Sequence, residues 1–186
     1  DRRAIAEGLK RTNLAYGHPR AAELAAKLAD PATAVVVGGQ QTGLFGGALL
    51  ALVKAAAAVR HAEALEAAGR PAVAIFWMAT EDHDWAEVAS ATFLGLAGLE
   101  KLALAEDPSP LAPVGCRRIG PEIESLFAAM GVGFPNERFA EWRRRLAGWW
   151  APGARFGDAF AQQTVDLLGA RSPLMLDSML PELKVA

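Results

Sequence analysis

Two short apolar runs bracket one long helical segment, and this arrangement constrains the fold more than any other feature of the chain. AVVVGGQQTGLFGG, Ala34 to Gly47, begins as a β-branched run and passes into a glycine-rich turn. Ala34 to Val37 reads as a short buried strand. The segment from Leu44 to Ala68 then reads as one helix. Its apolar stripe is Phe45, Leu49, Leu52, Ala56 and Val59, at the spacing one helix face requires. Gly69-Arg70-Pro71 stops it, with glycine just past the end. AVAIFW, Ala72 to Trp77, is a continuous apolar run and predicts a strand covered on both faces, as in parallel sheets. Strand, helix, strand is a βαβ unit, so the fold class is α/β with a parallel sheet.

The flanks are helical in pattern. Arg2 to Arg11 and Arg20 to Ala29 predict short helices, separated by Thr12-Asn13 and the turn-forming Gly17-His18-Pro19. Asp30-Pro31 ends the second, because the residue before proline avoids the α region. Beyond the second strand, Glu87 to Phe93 and Glu100 to Ala105 fit strands or short helices equally. Asp107-Pro108-Ser109-Pro110 and Ala112-Pro113 read as a proline-rich linker. Pro121 to Met130, Asn136 to Trp150 and Ala154 to Leu168 predict helices, and Leu174 to Leu176 a last short strand. The expected organisation is a first part of the core over 1–94, a mostly helical connecting insertion over 95–170, and a return to the core over 171–186.

Composition limits the partners. The 186 residues carry a formal charge of −2 with 22% charged residues, so there is no electrostatic case for nucleic acid. Arg143-Arg144-Arg145, among Trp142, Trp149 and Trp150, reads as a solvated helix face with aromatic packing. The longest apolar stretch, Gly43 to Val59, is interrupted by Lys54 and is short for a membrane span of roughly 20 residues. A single cysteine, Cys116, excludes an internal disulfide and a zinc site built on several cysteines. It reads as a small buried or half-buried residue, and this usage fits a reducing, cytoplasmic setting. The chain opens at Asp1 without Met or signal peptide, as a piece of a longer protein would.

Two polar stretches carry the chemistry. A strand, a glycine turn and a helix N-terminus make an anion-binding geometry. Yet Leu44-Phe45 stands where a P-loop needs Lys-Ser/Thr, and no dinucleotide fingerprint can be laid on this turn. A tight structural turn remains an equal reading. The second stretch is TEDHDWAE, Thr80 to Glu87, directly after the second strand. Both therefore sit at the carboxyl edge of the sheet, where open α/β sheets bind ligands. Glu81, Asp82 and Asp84 surround His83 and could orient it and raise its pKa. They could also hold a divalent cation through oxygens, and no metal is assigned. A plain helix N-terminus with Asp84 as N-cap is the structural alternative. Lys54 falls opposite the expected apolar stripe and reads as solvated. His18 and His61 read as surface residues.

GGQQTGLFGG, the following ALLALVKAAAAV, and PAVAIFWMATEDHDWAEV together resemble the bacillithiol biosynthesis cysteine-adding enzymes, also called cysteine ligases. Asn13 and Gly17 upstream, and GDAFAQQTVDLLG with SPLMLD downstream, extend the likeness over nearly all of the chain. It covers only the N-terminal part of the family, and Ala48 stands where the family has proline. The resemblance implies a Rossmann-like core, incomplete here relative to the family, with a coiled coil in the C-terminal part that makes a homodimer of the full-length chain. It implies a ligase that adds cysteine to the amino group of glucosaminyl malate in the last step of bacillithiol synthesis. Those two small molecules would be the partners, with neither nucleic acid nor membrane. Likeness of the core to nucleotidyl-transferring Rossmann enzymes makes ATP the cofactor to consider; nothing else identifies one. Gly39, Gln40, Gln41, Thr42 and Gly43 would line the active-site floor and hold substrate or nucleotide without a fixed positive charge, with Asp82 across the cleft. His83 would do acid/base work beside Glu81 and Asp84, since an amine must lose a proton to attack an acyl carbon. The competing readings are a truncated non-catalytic relative and a small-ligand binding module with the same turn.

Overall fold

The computed structural model describes residues 1–95, 98–105, 109, 111–132 and 137–184. Its centre is a parallel sheet of three strands: β1 (Ala34–Gln40), β2 (Ala72–Met78) and β5 (Leu174–Asp177), in the order β1-β2-β5. Val36 of β1 stands beside Ala74 of β2, and Phe76 of β2 beside Met175 of β5. The domain is thus the α/β arrangement that the βαβ pattern predicts, consistent with the Rossmann-like core that the resemblance implies.

Helices cover both faces of β2. Val73 and Ile75 pack with Leu174 and Leu176 against α1 (Arg2–Ala15) and α2 (Ala21–Ala29). On the opposite face, Ala72 and Ala74 meet α3 (Leu49–Ala67), and Phe76 stacks on Phe160 of α7 (Phe156–Leu168). A continuous apolar strand needs this two-sided cover. β1 does not have it: Val35 is 38% exposed and Val37 60%, so the expected buried strand is a sheet edge with one open face.

The insertion after β2 opens with a one-turn helix α4 (Trp85–Val88). An antiparallel hairpin follows, of β3 (Ser90–Gly95) and β4 (Gly98–Ala103). Of the two ambiguous segments, Glu87 to Phe93 spans the end of α4 and the start of β3, and Glu100 to Ala105 begins in β4. The helices α5 (Ile123–Val132), α6 (Glu137–Trp149) and α7 come next, and α8 (Pro181–Lys184) closes the described chain. Pro121 precedes α5 rather than entering it. Most of the expected Asp107–Pro110 linker, and Asn136, lie outside the described residues. Arg144 and Arg145 are exposed, with the Arg145 guanidinium over the rings of Trp142 and Trp149 and paired to Asp166.

Three expectations fail for one reason, long-range packing. Helix α1 runs through Thr12-Asn13 to Ala15, because Asn13 is fully buried and bonds the outer edge of β5. Its Nδ2 donates to the Met175 carbonyl at 2.9 Å, and its Oδ1 accepts from the Met175 N–H at 2.8 Å. Helix α3 buries Ala51, Ala55, Ala58 and Ala62 and leaves Leu49 75% exposed, so the large-residue stripe is not its packed face. Small residues win because the helix lies close on β1. A Cβ on Gly38 would stand 3.1 Å from the Lys54 carbonyl and 3.4 Å from Ala58 Cβ.

His18 is the third. It is 2% exposed, not a surface residue, whereas His61 is exposed as expected. His18 Nδ1 accepts from the Arg20 N–H at 3.0 Å, so Nε2 carries the proton and donates to the Ser172 carbonyl, also at 3.0 Å. Burial holds the ring below its ordinary value of 6.5, against the raising effect of the Ser172 carbonyl. The unfolded chain therefore takes up the proton first as pH falls. Stability is full above about pH 6.5 and is lost as pH drops below it toward the folded value. A lower urea midpoint is expected at about pH 5.5 than at pH 7.5, with a smaller difference in His18→Gln. Equal midpoints in the parent protein would overturn this.

Candidate functional site

The glycine turn is built by left-handed backbone. Phe45, Gly46 and Gly47 have φ of 54°, 94° and 65°, so the chain cannot enter a helix at Leu44 as expected. It makes one 3-10 turn at Leu44–Gly46, and α3 starts at Leu49. The turn folds back on itself: a Cβ on Gly43 would fall 2.6 Å from Gly47 Cα. Ala48 caps α3 with φ −67°, the value a proline would impose. Gln163 of α7 ties the turn to the core, its Nε2 donating to the Phe45 carbonyl at 2.8 Å.

The second polar stretch follows β2 and is pinned from behind. Val114 N–H donates to the Asp82 carbonyl at 2.7 Å, and Gly115 N–H to the Thr80 carbonyl at 2.8 Å. Thr80 Oγ1 donates to Asp177 Oδ1 and lies 3.0 Å from Ser178 Oγ, which accepts the Glu81 N–H at 3.1 Å. Arg155 Nη2 stands 3.6 Å from Asp177 Oδ2. Beneath this loop Tyr16 donates to Asp158 Oδ1 at 3.3 Å, and burial pushes both groups' pKa values up.

The two stretches meet through one hydrogen bond, from Gln41 Nε2 to Asp82 Oδ2. Asp82 Oδ1 also accepts the backbone N–H of His83 at 2.6 Å and of Asp84 at 3.1 Å. The Asp84 N–H, then Gln41, then the His83 N–H hold this carboxyl below its usual range, so it stays charged. His83 is 60% exposed at its side chain, with Nδ1 3.7 Å from Asp82 Oδ1. Asp84 caps α4 by accepting the Glu87 N–H at 3.1 Å, and Glu81 is exposed.

A cleft of about 340 Å³ opens beside this junction, lined by Gln40, Gln41, Gly43, Leu49, Glu87 and Thr92. Gly39 lies within β1, and Thr42 is fully buried with its hydroxyl unpartnered among the described residues. Thus Gln40, Gln41 and Gly43 reach the cleft. Asp82 touches it through Gln41, and Glu81, His83 and Asp84 stand on the solvent side of the loop. Among the described residues no group of three or more His, Cys, Asp or Glu could hold a metal ion.

Several residues escaped the sequence reading. Lys54 is half-buried rather than solvated, and its Nζ donates to Gln40 Oε1 at 2.5 Å. Asp177 and Ser178 brace the loop from the end of β5. The strand-end rule that singled out the other two stretches would have found them. Glu87 enters the cleft from α4. Cys116 is exposed rather than buried, on a separate cleft of about 550 Å³ with Trp85, Leu104, Arg117, Ile119 and Glu122.

Residues 1–186 match the family model described as bacillithiol biosynthesis BshC, N-terminal Rossmann-like domain. The chain belongs to this family. It is 36% identical over 144 residues to a protein of Koribacter versatilis, covering 76% of this chain and 26% of that relative. Identity is 32% over 180 residues to one from Chlorobaculum tepidum, covering 94% and 32%. It is 30% over 172 residues to one from Heliobacterium modesticaldum, covering 89% and 31%. Each of these relatives is named “Putative cysteine ligase BshC”. The chain thus spans between about a quarter and a third of these relatives' length. Among the described residues no helix is long and apolar enough to cross a membrane.

Proposed function

We propose that the full-length protein carrying this domain joins cysteine to the amino group of glucosaminyl malate, and that the carboxyl edge of the β1-β2-β5 sheet is where it does so. The observation that carries the reading is the Gln41–Asp82 hydrogen bond, which ties the glycine turn to the EDHD loop at the rim of a cleft. Gln40, Gln41 and Gly43 form the floor that receives substrate, with Gly39 and the buried Thr42 behind it. Asp82 is the fixed anchor, and the exposed His83 beside it, with Nδ1 3.7 Å from Asp82 Oδ1, is the group proposed to take the proton of the attacking amine. Glu81 and Asp84 border that histidine, Asp84 also ending α4. A free carboxylate forms an amide only after activation, so the reading includes an activating co-substrate, for which ATP is proposed. The full-length chain is proposed to act as a cytoplasmic homodimer.

The test is the full-length protein incubated with cysteine, glucosaminyl malate and ATP, with the product followed by mass spectrometry. A product equal to the two substrates less one water is expected. Gln41→Ala removes a hydrogen bond to a charged group, worth about 1.5–3 kcal/mol, and should lower the rate about 10–100-fold. Absence of product from the parent protein would sink the ligase reading. Full activity in Gln41→Ala would remove the turn from it.

A further inference from the structure

The glycine turn has amides where a phosphate loop carries lysine, and the fold brings a lysine of the next helix against one of those amides. Lys54 lies on the second turn of α3, on the side facing β1. Its Nζ donates to Gln40 Oε1 at 2.5 Å. With its oxygen turned to Lys54, Gln40 directs its Nε2–H donors away, and Gln40 lines the cleft. Lys54 is half-buried, and among the described residues no carboxylate pairs with it. An ammonium that donates once, to a neutral oxygen, has two further N–H donors.

We propose that Gln40, oriented by Lys54 behind it, forms an oxyanion subsite on the floor of this cleft, holding a carboxylate or phosphate of a small substrate. The inference rests on the reading of the cleft as a substrate site. It sets a lysine behind the expected floor of amides. Ammonium and amide N–H groups are donors only, the set an anion requires. Glu87 on the same cleft makes a multiply charged anion costlier there than a single carboxylate.

The test is calorimetric binding of three probes, L-cysteine, malate and inorganic phosphate, to the full-length protein. At least one should bind the parent protein. Lys54→Met should weaken that probe by about tenfold or more, as loss of a charge-assisted hydrogen bond implies, and Lys54→Arg by much less. Gln40→Glu sets a carboxylate against Lys54 with no change in side-chain length, and should weaken binding as strongly. It decides the matter if Lys54→Met melts early. Binding of cysteine or malate assigns a carboxylate to the subsite, and binding of phosphate alone assigns a phosphate-bearing co-substrate. No binding by any probe, or unchanged binding in the folded variants, overturns the proposal. Ligation is assayed separately. Probe binding that depends on Lys54 without product would overturn the ligase reading alone. Product formed with every KM unchanged in Lys54→Met would overturn the subsite alone.

Discussion

Alanine at His83 is expected to slow cysteine addition by the full-length protein about 10²–10⁴-fold, the usual contribution of a positioned acid/base. The geometry behind this is simple. Asp82 is fixed by Gln41 and by two backbone N–H groups, stays ionised, and lies 3.7 Å from His83 Nδ1. A carboxylate on that side favours a proton on Nδ1 and leaves Nε2 as the acceptor. The ring is largely exposed, so its loss leaves no cavity, and the melting temperature should stay within about one degree of the parent, as for most surface changes. A rate within threefold of the parent would take His83 out of the mechanism.

The largest loss of stability is expected at Trp150. The ring is fully buried, edge-on to Phe156 at 5.0 Å and to Phe45 at 5.7 Å between centroids. Trp150→Ala should cost about 3–5 kcal/mol, as truncation of a large core aromatic does. Its indole N–H donates to Gln163 Oε1 at 2.7 Å, and Gln163 in turn donates to the Phe45 carbonyl. Core and turn are therefore one connected unit, and Phe45 is held in its left-handed conformation by this link. Trp150→Phe keeps most of the volume but orphans a buried amide oxygen, so a smaller loss of about 1–3 kcal/mol is expected. Urea unfolding of the three proteins checks the order. Trp150→Phe as damaging as Trp150→Ala would show that packing volume is not the main term.

The βαβ unit was legible because its signals are local. A β-branched run, glycine and proline punctuation, and one continuous apolar strand each report on their own neighbourhood. So did the placement of both polar stretches, since each directly follows a strand. What could not be read depends on contacts made from afar. The packed face of α3 is set by how near the helix lies to Gly38, which favours alanine over leucine, and periodicity gives leucine the greater weight. Lys54 was misplaced with it. His18 sits in a turn-forming tripeptide, and its burial is imposed by Ser172, far along the chain. The Asp177 brace forms only once β5 has returned to β2. The exposure of Cys116 follows from the 3-10 turn at Val114–Cys116, for which the sequence has no strong signal.

The Asn13 side chain gives the sheet a direction of growth. By bonding both the N–H and the carbonyl of Met175, it does for one residue what a fourth strand would do, and it seals the β5 margin from inside the domain. At the other margin, among the described residues, no strand lies beside β1, and Val35 and Val37 look outward. Another strand, whether from the same polypeptide or from another molecule, can join on the β1 side alone. Any such strand would run directly beside the glycine turn. A domain with one sealed and one open margin thus offers its glycine-turn end to whatever completes the sheet.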